Sequence, residues 1–74
     1  MNKQGRKRLK EVEETLTKTQ EILEEMAQEE QEKLDNMPES FRYGFKGGEM
    51  ETAIDYLKEA AQQISDAIYG INEI

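Results

Sequence analysis

The sequence predicts an all-α protein, an antiparallel helical hairpin that dimerises into a four-helix bundle. Two long stretches carry the helical signal and one short stretch breaks it. Residues 5–36 hold no proline and no glycine beyond Gly5, and are rich in Glu, Lys, Gln and Leu, all good helix formers. Residues 49–74 repeat apolar side chains with a heptad period. Between them lie the only proline, Pro38, and the glycines Gly44, Gly47 and Gly48. The organisation expected is a single domain over 1–74, with a first helix of about 5–36, a connector of 37–48 and a second helix of about 49–73.

In the first helix, Leu9, Val12, Leu16, Leu23 and Met26 alternate at steps of three and four, with Thr19 in the gap. That spacing marks one helical stripe. Ile22 widens it. Past Met26 the apolar residues move to Ala27, Leu34 and Met37, so the stripe drifts around the helix as a 3.6-residue period requires. The outward face is acidic, with like charges four apart at Glu21, Glu25 and Glu29. It reads as a solvated face or, alternatively, as a surface imitating nucleic-acid phosphate.

The second helix is more regular. Met50, Leu57, Ile64 and Ile71 form one row, Ala53, Ala60, Ala67 and Ile74 a second, and Ile54, Ala61 and Ile68 a third. Three apolar positions in seven make a wide face, suited to a bundle core rather than a two-stranded seam. One opposing helix cannot cover it, so an oligomer interface is expected over Met50, Ala53, Ile54, Leu57, Ala60, Ala61, Ile64, Ala67, Ile68 and Ile71. Docking onto a different protein would cover the face as well as a homodimer would, and the homodimer is the default because symmetric dimers are the commonest.

In the connector, Pro38 disfavours helical geometry at Met37. Asn36 is expected to cap a short turn over Glu39–Tyr43, with Glu39 completing a capping box and Gly44 closing it. Gly48 is expected as the N-cap of the second helix. The helix lengths place residues 49–74 against about 11–36, leaving 1–10 as an overhang.

Composition narrows the chemistry. The chain has no cysteine and no histidine. Disulfides, the commonest general base and the commonest metal ligand are therefore all missing. A bundle di-metal site built on Glu-x-x-His has no histidine to use. Only Glu30 lies near a core row, and no twelve-residue calcium loop is present. Gly44, Gly47 and Gly48 lack the strand and the Lys-Ser/Thr pair of a phosphate loop. No enzymatic activity, cofactor or metal is expected. No apolar run reaches the roughly 20 residues of a membrane span, so a cytoplasmic location is expected.

The net charge of −7 is unevenly spread. Lys3, Arg6, Lys7, Arg8 and Lys10 give the first ten residues +5, whereas residues 11–40 set eleven acids against Lys18 and Lys33. The basic segment is a possible nucleic-acid contact through phosphates. No aromatic is interleaved with it, which argues against single-strand binding. Three aromatics, Phe41, Tyr43 and Phe45, alternate with Arg42 and Lys46 in the connector. They read either as a plug on the end of the core or as a partner-binding patch, since aromatics and arginine dominate interface energetics.

The stretch Leu34-Asp-Asn-Met-Pro-Glu-Ser-Phe41, followed by Gly48-Glu-Met-Glu-Thr-Ala-Ile-Asp-Tyr-Leu57 and an Ile/Ala-rich end, resembles a group of small acidic helical proteins from phages, prophages and mobile elements of Gram-positive bacteria. The resemblance covers about the second half of the chain. The Phe41-Arg-Tyr-Gly-Phe45 run is more aromatic than the connector of that group. The resemblance implies a bacterial host cytoplasm as setting, and a non-catalytic protein that binds and inhibits a host defence or nucleic-acid enzyme. A self-associating assembly protein is the alternative.

Overall fold

The computed structural model describes residues 1–74, with α1 over Lys3–Asp35, α2 over Glu39–Arg42 and α3 over Phe45–Asn72. There are no strands. The Cα trace is 58 Å long and only 14 × 12 Å across. α1 alone spans about 50 Å at 1.5 Å per residue, so α3 folds back along it. Asn72 lies beside Glu13, its amide nitrogen 3.1–3.2 Å from both carboxylate oxygens when turned to donate. That contact sets the antiparallel register and agrees with the pairing of 49–74 against 11–36 expected from the helix lengths.

α1 starts earlier than its composition suggests. The Asn2 side chain accepts a hydrogen bond from the Gly5 N–H at 2.7 Å. An N-cap of this kind satisfies a donor that the first turn otherwise leaves open. The basic segment is thus helical from Lys3 onward. No acid sits in the first turn to complement the helix dipole there.

The turn corrects three expectations. Asn36 does not cap α2. It is the C-cap of α1, at φ −91° and ψ −1°, with its N–H donating to the Glu32 carbonyl at 3.1 Å while the Met37 N–H donates to the Leu34 carbonyl at 3.2 Å. Pro38 takes the N-cap place of α2 in an extended conformation, and its carbonyl accepts from the Phe41 and Arg42 N–H groups at 3.0 and 2.9 Å. α3 begins at Phe45, with Gly44 rather than Gly48 at its N-cap. Gly47 and Gly48 therefore lie inside the first turn of α3. No glycine has a positive φ, so none is needed for a left-handed conformation. Gly47 is needed for room: a Cβ there would overlap the Arg42 carbonyl. Gly48 has nothing near its missing side chain.

The helices meet along a narrow seam. Ala27 and Leu34 from α1, and Gly47, Ile54 and Ala61 from α3, are the only buried residues. Leu9, Leu16, Leu23, Met50, Leu57, Ile64, Ile68 and Ile71 are half-buried beside it. Small residues at the seam let the two backbones approach, and Leu34 and Ile54 are the largest side chains buried there. No helix is long and apolar enough to cross a membrane.

Candidate functional site

Where the unburied apolar residues lie follows from helix geometry. Each residue turns the helix by about 100°. Measured from the seam, Val12, Thr15, Thr19, Ile22 and Met26 fall roughly 50–130° to one side of α1. Ala53, Ala60, Ala67 and Ile74 fall roughly 100–160° to the same rotational side of α3. Because the helices are antiparallel, equal rotation brings both stripes to one face of the hairpin. Val12, Ile22 and Met26 are 47–54% exposed there, and Ala53, Ala67 and Ile74 are exposed beside them. Thr15 and Thr19 return their hydroxyls to the Glu11 and Thr15 carbonyls at 3.0 and 2.8 Å. Their polar groups are satisfied within the helix, so each adds a methyl to the face.

The opposite face is polar. Gln20 donates to Glu24, Gln31 to Asp35 and Gln62 to Asp66, each four residues on, at 3.0–3.1 Å. Asn72 and Glu13 join the two helices on this side, and Lys58 lies alongside Gln31 and Asp35. The outward side of α1 carries an open, shallow depression lined by Glu21, Glu24, Glu25, Gln28, Glu29 and Glu32. Glu30 is half-buried at the edge of the seam, and no three carboxylates converge on a point that could hold a metal.

The ten residues expected at an oligomer interface divide into three groups. Ile54 and Ala61 are 3% and 4% exposed and spend their surface on α1. Ile68 also faces the seam, half-buried. Met50, Leu57, Ala60, Ile64 and Ile71 straddle seam and face, and Ala53 and Ala67 are open. Sequence reasoning placed Val12 and Met26 on the stripe that meets α3, whereas they stand on the open face with Ile22. Their three-and-four spacing offset from Leu9, Leu16 and Leu23 is the signal that separates the two stripes.

At the turn, Phe41, Tyr43 and Phe45 are 60%, 79% and 84% exposed. They do not plug the core. Arg42 is half-buried, with its guanidinium 3.4 Å from Asp35 in the sole ion pair and 6.0 Å from the centroid of the Tyr43 ring. Lys46 is exposed and has no ionic partner. At the other end, Lys3, Arg6, Lys7 and Lys10 share a sector of about 100° on α1, with Arg8 turned toward the apolar face.

No protein-family model, curated protein or solved structure matches this chain.

Proposed function

We propose that the protein is a non-catalytic protein–protein interaction module that works as a dimer. Two hairpins pair through their apolar faces into a four-helix bundle, and the aromatic turn of each meets a target protein. One observation carries this reading. Val12, Ile22, Met26 and Ile74 on the face, and Phe41, Tyr43 and Phe45 at the turn, make up most of the large apolar side chains left exposed; Met1, Tyr56 and Tyr69 are the others. Two apolar surfaces with different composition fit two different contacts. The face is aliphatic and flat, as between bundle helices. The turn is aromatic with adjacent cations, the composition of interface hot spots. Lys46, free of an ion pair, directs the turn toward an acidic site on the target. With the resemblance to small phage and prophage proteins, the target class is a host defence or nucleic-acid enzyme, inhibited by occlusion in the host cytoplasm.

Phe41→Ala, Tyr43→Ala and Phe45→Ala test the turn. Their exposure predicts melting temperature and oligomeric state unchanged from the parent protein. Affinity for the target should fall by about 2–4 kcal/mol for a hot-spot ring. Early melting together with unaltered affinity would return the rings to a structural role.

A further inference from the structure

The dimer proposed above leaves open how two hairpins lie on each other, and side-chain size and charge decide it. Two identical faces can stack about a two-fold axis in two ways. An axis along the helices places α1 on α3 of the second copy. An axis across the helices places α1 on α1 and α3 on α3, head to tail. We infer that the second copy stacks head to tail, like helix on like helix, with the two aromatic turns at opposite ends of the bundle.

The area is adequate for a second copy. The apolar face runs from Met50 to Ile74, about 36 Å, and is two helices or roughly 20 Å wide. That gives roughly 700 Å² on each copy, close to the roughly 800 Å² per partner of a standard interface.

Side-chain size favours the head-to-tail stack. On α3 the large residues Met50, Leu57, Ile64 and Ile71 alternate with Ala53, Ala60 and Ala67. Run antiparallel against itself about a centre near Gln62, α3 sets Ala53 opposite Ile71, Leu57 opposite Ala67 and Ala60 opposite Ile64. Every alanine then meets a large side chain, as interdigitated layers require. The same centre falls near Ile22 on α1, where Thr19 comes opposite Met26 and Ile22 meets its own copy. In the other stack Ala67 would meet Thr19, two small groups, and Leu57 would meet Glu30.

Charge favours it too. Residues 1–10 carry +5, while Glu29, Glu30, Glu32, Asp35 and Glu39 surround Lys33 at the turn end. Head to tail, the basic overhang of each copy, which α3 does not cover, lies over the acidic turn end of the other. Lys18 and Glu25 lie beyond Ile22 on the outward side of α1, so in this stack they come together only at its outer rim. The other stack would bring the two basic overhangs together and set Glu25 near Glu59. Opposite charges at opposing ends fix orientation as well as attraction.

The chain has no cysteine, so a single spin label on Lys7→Cys reports one intermolecular distance. Lys7 is exposed and off the apolar face. Head to tail, the two labels lie about 45 Å apart at 1.5 Å rise per residue. A distance under about 25 Å, given helix spacings of 8–10 Å, would overturn the head-to-tail stack and leave the dimer standing. Absence of any intermolecular distance, with one chain per particle in sedimentation, would overturn the dimer itself.

Discussion

The two long faces of this hairpin are built from the same two helices and end in different states. On the polar face, four amides find partners within the chain: Gln20 with Glu24, Gln31 with Asp35, Gln62 with Asp66, Asn72 with Glu13. On the apolar face, Val12, Ile22 and Met26 stand beside the Ala53, Ala67 and Ile74 row with nothing in the chain to cover them. Two helices side by side share one seam, and that seam takes only one row from each. A sequence with three apolar rows on one helix therefore has two left over, one of them half-buried along the edge of the seam. The difference marks the face on which the proposed dimer rests.

The largest expected effect comes from a charge placed where seam and face meet. Ile64→Glu buries an unpaired carboxylate, which costs about 3–5 kcal/mol. It should dissociate the dimer and lower the melting temperature together. Gln62→Glu, two residues away on the polar face, should leave both within about 0.5 kcal/mol of the parent. Equal losses at the two positions, followed by thermal melting and sedimentation, would erase the distinction between the faces.

The hairpin itself was legible in the pattern of residues. Its register was legible too, because the helix lengths alone set 49–74 against 11–36. The division of labour on α3 was not. A heptad period reports how wide an apolar face is, and it does not report how much of that face one neighbour covers. Ile54 and Ala61 look like Met50 and Ala53 in sequence, yet the first pair is enclosed and Ala53 is open. The start of α3 was hidden for another reason. Two adjacent glycines read as a helix boundary, but Gly47 sits within the helix because the Arg42 carbonyl leaves no room for a side chain. Asn36 was misassigned because an Asn can end one helix as readily as begin the next. The turn aromatics had two readings from sequence, and only their exposure separates them.

A smaller effect sharpens the comparison along the rim of the apolar face. Lys18→Glu and Glu25→Lys should each weaken the dimer by about 0.2–1 kcal/mol, the range for exposed ion pairs. The double exchange should restore the affinity, because each charge then meets its opposite on the other copy. These residues lie seven apart on α1, too far for an i,i+4 pair within one helix. Dimer dissociation constants for the four proteins at low salt give the coupling. Additive losses in the double variant would remove Lys18 and Glu25 from the contact.

The central claim is that the apolar face is closed by a second chain. Sedimentation equilibrium of the unmodified protein at micromolar concentration tests it most directly, since the mass of one chain is 8.6 kDa. The account predicts a particle of two chains that falls to one in Ile64→Glu. A particle of one chain, compact and heat-stable across that concentration range, would contradict it.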